Sequence, residues 1–447
     1  MAVSSAPVEA CAPAITEVPP TLVEPAPRAL GLLDQLGLWT NMGFTLLGFT
    51  GAIYVLDPLG DQPLSLLAAL VAIGLGTLVG TLAIAATAAA GSITGAPAMV
   101  LLRGLVGGRL SYAPTVLNIL QCIGWGTFEI ATISNAAHQI AGDVATWVWV
   151  LLAGAITTTM TIRPLGAIRV IRRYVTILVL VVMVYLLVQL LRHPLPPLTH
   201  GTWSGFWIAV DVTIAVAVSF VPLAADYSRH ARSTRSAFTG AMGFGLGQAA
   251  CYTIGLIALL TVAKSPDEIA GAFIAVPLGT LCFAVLATRE LDLAFADVYS
   301  TAVSVQNVRP RWDRRILGVG IGIGTTALAL WLGIDRYPDF LYLLGSVFVP
   351  LAAVLLVDFY VLSGRQWDLS ETAPTRWRNL IPWALGFCTY QLINPGTLSG
   401  WRSMWTSIAD GIGFTPQTWM SASLCALVVS AAATVAVAIP GKLRTPA

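Results

Sequence analysis

Two stretches carry residues whose types and spacing suit the capture of a flat, hydrogen-bonding molecule. In IGWGTFEIATISNAAHQ, Trp125 and Glu129 are i and i+4, so a helix puts them on one face. There an indole stacks on a ring while the carboxyl accepts the ring's N–H donors. In ATRELDLAFADVYSTAVS, Arg289, Glu290, Asp292 and Asp297 fall within nine residues. Glu290 and Asp297, seven apart, share a face, with Asp292 to the side. Both stretches are otherwise apolar, and an ionisable group in hydrocarbon is expensive enough to count as a functional candidate. Arg289 and Glu290 are able to neutralise each other. A structural ion pair explains Glu129 and Asp297 less readily. Asp226 and Asp358 adjoin Arg-bearing loops and read as caps or interfacial ion pairs. Asp211 reads equally well either way.

The elements that must position these groups are membrane helices. Of 447 residues, 56% are hydrophobic and 10% charged, against about a quarter charged in soluble domains. A mean hydropathy of +0.79 over this length exceeds what one buried core needs and implies a surface facing lipid. The net charge of +2 gives no sign of a nucleic-acid partner. Cys11, Cys122, Cys251, Cys282, Cys388 and Cys425 form no C-x-x-C pair, and the four histidines do not cluster. Zinc, haem attachment and a dithiol site are therefore unsupported, and no cofactor is expected. The Ala/Pro/Glu-rich start lacks a basic segment followed by an apolar core, so residues 1–34 are expected to be a disordered cytoplasmic tail and not a signal peptide.

Apolar runs of roughly 20 residues, enough for about 30 Å of hydrocarbon, fall near 36–56, 64–90, 113–140, 144–162, 171–191, 205–226, 238–262, 274–304, 316–333, 338–362, 379–394 and 417–439. The stretch from Pro395 to Pro416 has room for an interfacial piece. Twelve spans put alternate loops on one side. Nineteen of the 24 basic residues then share a side with both termini; Arg192, Lys264, Arg336 and Arg402 lie opposite and Arg289 lies within a span. The positive-inside rule makes the richer side, and both termini, cytoplasmic. Span one has Gly43, Gly48 and Gly51 in its middle, and span six has Pro222 in AVAVSFVPLAADYSR. Broken helices five spans apart point to a midplane transport site in an inverted repeat.

With TGAPAMVLLRGLVGGRLSYAPTVLNILQCIGWGTFE, PLAADYSRHARS, ELDLAFADVYSTAVSVQN and VDFYVLSGR in view, the chain resembles the nucleobase:cation symporter family, the purine–cytosine permease group. The resemblance runs from about residue 35 to 365. It implies an all-α polytopic membrane protein of LeuT-type fold: a 5+5 inverted repeat as a ten-helix core over 35–362, then two peripheral helices over 363–447. It implies a planar base held between an aromatic of span three, matching Trp125, and one of span six, for which Phe220 is the choice and Trp207 the second. Glu129 and Asp297 match positions where relatives often carry Gln and Asn, so two acids replace two amides. Gly48, in the break of span one, joins the substrate-side candidates. The cation site of relatives maps to the Gly43 and Leu46 carbonyls with Thr288 and Asp292. The usual Ser/Thr pair is not evident there, which leaves sodium and proton both open as the coupling cation.

The expected activity is thus cation-coupled import of a cytosine-like base or aminopyrimidine across the cell membrane by alternating access. Carboxylates favour N–H-rich rings over uracil or hydantoin. The alternative is a symporter of the same fold for another nitrogenous solute: a vitamin precursor such as hydroxymethylpyrimidine, allantoin or hydantoin, or an amino acid. An embedded enzyme would need a nucleophile–base pair, a metal cluster or a catalytic loop, and none is legible. A sensor using the same fold, and the oligomeric state, stay open.

Overall fold

A computed structural model describes residues 26–162, 164–309, 311–332 and 337–442. Residues 1–25 of the expected tail, and Arg163, Arg336 and Arg444 of the charge count, lie outside the described residues. The fold is helical, with no named strand among the described residues. The helices are α1 (Leu32–Gly43), α2 (Leu46–Gly51), α3 (Ile53–Leu56), α4 (Leu66–Thr94), α5 (Ala98–Val106), α6 (Tyr112–Ala141) and α7 (Thr146–Ile162). Next come α8 (Pro164–Leu190), α9 (Phe206–Val218), α10 (Val221–Ser228), α11 (Thr234–Ala241), α12 (Gly243–Thr261), α13 (Pro266–Ala275) and α14 (Gly279–Val308). The last are α15 (Arg314–Ala329), α16 (Tyr337–Val357), α17 (Leu380–Ile393), α18 (Ser399–Gly411) and α19 (Ala422–Lys442).

Each of the twelve expected spans falls on one of these helices or on an interrupted set. Among the described residues, six helical stretches are long and apolar enough to cross a membrane unaided: Leu66–Thr94, Tyr112–Ala141, Phe206–Ser228, Thr234–Thr261, Tyr337–Leu362 and Ala422–Ile439. Leu46–Leu56, Thr146–Ile162 and Val175–Leu190 are shorter and apolar. α14 has the length, at 30 residues, but carries the four ionisable groups. The stretch between Pro395 and Pro416, where the sequence has room for an interfacial piece, carries the helix α18. Outward faces are apolar: on α8, Ile177, Val181, Val184 and Val188 follow helical spacing and are all exposed, which suits a lipid-facing stripe.

Two helices are interrupted where the sequence pointed. In the first, Phe44 and Thr45 are extended and separate α1 from α2. In the sixth, the chain turns at Ser219–Phe220, and Pro222 lies in the first turn of α10, where its missing N–H is harmless. The glycines of the first span have a different job from the one expected. A Cβ on Gly43 would lie 2.2 Å from the Phe244 carbonyl oxygen, and one on Gly48 would lie 2.9 Å from Cys251 Cβ. They let α1 and α2 pack backbone-close on α12. The interruption itself comes from Phe44 and Thr45.

Residues 32–34, placed in the tail by sequence, form the first turn of α1, and the residues before them are stitched down. Leu30 N donates to His230 O (3.0 Å) and Arg232 N to Leu30 O (2.8 Å), while Arg28 Nη2 donates to Ser92 O (2.8 Å). His230 Nδ1 donates to Pro27 O (3.0 Å) and its Nε2 accepts from Arg229 Nε (3.3 Å). Only the neutral ring serves both contacts. Burial, helped by Arg229, pushes His230 down to about 4.

Gly43→Ala should destabilise by about 1–3 kcal/mol or more through overpacking, lowering Tm in detergent by several degrees. Gly37→Ala, inside the same helix but with nothing within 4 Å of its Cβ, should leave Tm unchanged or raise it slightly. Because the folded histidine is harder to protonate than a free one near 6.5, its contribution is complete above about 6.5 and declines as pH falls from there towards 4. Hydrogen exchange at the Leu30 and Arg232 amides, corrected for intrinsic rates, should show protection lost between pH 7.5 and 5. His230→Gln should flatten that dependence.

Candidate functional site

α6 and α14 form the most extensive helix pair of the fold, and the polar groups lie along it. On α6, Asn118, Gln121, Trp125 and Glu129 follow i, i+3, i+7, i+11 and are all buried, so they make one stripe. Asn118 Nδ2 donates to Ser304 Oγ of α14 (2.9 Å). Gln121 Nε2 donates to Asn118 Oδ1 (2.7 Å) and to Ser219 O (2.9 Å), which ties the stripe to the break between α9 and α10. The Trp125 ring meets Tyr337 and Phe340 of α16 edge-on, at 5.9 and 5.3 Å between centroids. Phe128 completes this aromatic wall against the same two rings. One turn beyond Trp125, the carboxyl of Glu129 lies beside that of Asp297 on α14.

Three atoms of this stripe have no partner among the described residues: Gln121 Oε1, Trp125 Nε1 and Glu129 Oε2. Unpaired buried polar atoms are uncommon and costly, at about 1–3 kcal/mol each. Here one donor and two acceptors lie within nine residues on one helix face.

A second polar cluster fills the break of the first span. Thr45 Oγ1 donates to Glu290 Oε1 (2.5 Å), and Leu46 N donates to Glu290 Oε2 (3.1 Å). The Thr45 hydroxyl also accepts from Leu47 N (3.1 Å). Glu290 therefore caps the N-terminus of α2, where a negative charge is favoured. On the other side of the break, the Arg289 guanidinium donates to the Asn41 backbone carbonyl through Nη2 and to Asn41 Oδ1 through Nε (3.0 Å). Asn41 Nδ2 donates to Asp292 Oδ2 (2.9 Å).

The structure brings Trp125, Glu129 and Asp297 together. Phe220 lies half-buried at the α10 N-cap, next to the Ser219 carbonyl that Gln121 holds, with its ring 4.7 Å from Phe244. Trp207 packs on Phe206 at the opposite end of α9 from Ser219. Gly48 is turned into the α12 contact and not towards the stripe. Of the four expected cation ligands, Asp292 is at the break. Leu46 presents its N–H to Glu290, and Gly43 is pressed against α12. Thr288 is exposed and its hydroxyl donates to the Ala284 carbonyl of its own helix, so the four do not converge. Sequence reasoning missed Asn41, Gln121, Tyr337 and Phe340. Gln121 was within reach, four residues before Trp125 on the same face, and Asn41 is an amide in an otherwise apolar run.

Three further acids, Asp211 and Asp358 buried and Asp226 half-buried, hold other elements. Asp211 accepts from Ser421 Oγ, Ala422 N and Ser423 N at the start of α19 (2.5–2.9 Å). Asp226 accepts from Ala98 N at the start of α5 (2.8 Å). Asp358 pairs with Arg376 (2.6 Å) and accepts from Trp367 Nε1 and Asn379 Nδ2.

Residues 52–379 match the family described as permeases for cytosine/purines, uracil, thiamine and allantoin. The chain belongs to this family. It is a multi-pass membrane transporter and not an enzyme. Among solved structures, Mhp1, a nucleobase-cation-symport-1 family transporter, in a closed conformation with bromovinylhydantoin bound, is 19% identical with a TM-score of 0.72, over 95% of this chain and 96% of that chain. Inward-facing Mhp1 gives 17% identity and a TM-score of 0.68, over 93% and 92%. A manganese transporter from Eremococcus coleocola, in complex with an aromatic bis-isothiourea substituted compound, gives 12% and 0.55, over 95% and 99%. No curated protein sequence matches the chain. These likenesses establish the LeuT-type fold for the permease, with its first and sixth spans as the interrupted pair.

Because Glu290 caps α2 from a distant helix, Glu290→Ala should lower Tm in detergent by several degrees, through the loss of charged hydrogen bonds worth about 1.5–3 kcal/mol each. Glu290→Gln, which keeps an acceptor, should recover part of it. Equal Tm for all three proteins would rule out the capping role.

Proposed function

We propose that the permease imports a small planar heterocycle bearing an amino group, a cytosine-like base or aminopyrimidine, by cation-coupled symport with alternating access. In this reading it crosses the cell membrane twelve times with both termini cytoplasmic, as the distribution of basic residues favours. The observation that carries the substrate class is the unpaired donor and the two unpaired acceptors on one face of α6. Trp125 Nε1–H calls for a carbonyl or ring nitrogen, while Gln121 Oε1 and Glu129 Oε2 call for N–H groups. Cytosine offers a carbonyl, an amino group and a ring N–H on neighbouring edges of one flat ring. Uracil offers ring N–H groups but no amino group, so it brings one N–H to the carboxyl where an amino group brings two. The aromatic wall of Trp125, Phe128, Tyr337 and Phe340 suits a planar apolar face, and Phe220 of the sixth span adjoins the Ser219 carbonyl that Gln121 holds. Asp297, beside Glu129 on the facing helix, lines the same region.

Uptake of labelled cytosine, adenine, hydroxymethyl-aminopyrimidine and uracil by cells making the permease tests the reading. Amino-substituted rings should be taken up in preference, and Glu129→Gln should weaken their apparent affinity about tenfold, the equivalent of about 1.4 kcal/mol. Trp125→Ala should weaken it at least as much, and Trp125→Phe less. Preference for uracil over every amino-substituted ring, or a Glu129→Gln protein of unchanged affinity, would sink it.

A further inference from the structure

An interrupted helix inside a bilayer leaves carbonyl oxygens at the end of its first half and N–H groups at the start of its second. The first call for a positive charge and the second for a negative one. In this permease consecutive residues of α14 supply both: Glu290 at the α2 N–H groups and Arg289 at the Asn41 carbonyl. Arg289 is buried, and the Asn41 side chain locks it further, accepting from its Nε while donating to Asp292. The space left beside the break is about 10 Å³, lined by Thr45, Arg289 and Glu290 among others, about the least that admits one water. A metal cation needs several converging oxygens. Here the Asn41 carbonyl and amide oxygens already face a guanidinium, and Thr288 points away.

We infer that Arg289 is a resident cation that takes the place of a metal ion in the break of the first span, so that this permease binds and transports without sodium. The inference rests on the symporter reading only for its transport half. The binding half is tested on the protein alone.

The test has two readouts on the purified full-length permease. The first is Tm in detergent, titrated with sodium chloride against N-methyl-D-glucamine chloride at constant ionic strength. Wild type should show no sodium-specific shift. Arg289→Ala should melt lower, and guanidinium chloride at low millimolar concentration should raise its Tm selectively, with Arg289→Lys in between. The second is counterflow of labelled cytosine in proteoliposomes, which should run at the same rate in either salt for wild type and fall about tenfold or more in Arg289→Ala. A saturable sodium-specific rise in wild-type Tm, or wild-type counterflow that needs sodium, overturns the inference, even if Arg289→Ala fails to fold. If no heterocycle exchanges in either salt, the proposed substrate class fails, and the Tm titration still decides the role of Arg289.

Discussion

The fold depends on one kind of contact: a carboxylate receiving the N-terminal N–H groups of a helix that begins inside the bundle. Where water is scarce, each such group must find an acceptor within the protein. Glu290 does this for α2, Asp211 for α19 and Asp226 for α5. In every case donor and acceptor come from different helices, so one contact satisfies the backbone and fixes how two elements sit together. Asp358, gripping Arg376 and Asn379, ties the segment leading into α17 to the end of α16 in the same manner.

Against that background the Glu129–Asp297 pair stands apart, because neither carboxyl caps a helix and Glu129 keeps an oxygen unpaired. Stability does not account for them. Two acids are brought together where an amide pair would have been easier to bury, and the indole nitrogen beside them is also unmet. Acids that build the scaffold and the acids proposed to face a solute are thus distinguished by what they accept from.

Much of this was legible along the chain. Helical spacing put Trp125 and Glu129 on one face, and their depth within apolar runs marked Glu129 and Asp297 as the acids a structural pair explains least. Capping or pairing was the better reading for Asp226 and Asp358. What could not be read is which element lies opposite. Thr45 and Glu290 are 245 residues apart, so the clasp between them leaves no local pattern. Glycine was ambiguous for a related reason: Gly43 and Gly48 fit a flexible break as well as a packing notch, and only the position of α12 decides. Thr288 has a suitable hydroxyl, but its helix turns it outward, one residue away from the arginine that occupies the break.

The reach of the Glu290 clasp bears on how the protein is made. At about 5–20 residues per second, the ribosome adds the 245 residues between Thr45 and Glu290 in roughly 12–50 s. Throughout that interval the nascent first span has no Arg289 or Glu290 to answer its interruption. It must wait in another form, as an unbroken helix or shielded by the insertion machinery, and adopt its final shape only when α14 arrives. The opening segment of the chain is therefore among the last to be finished.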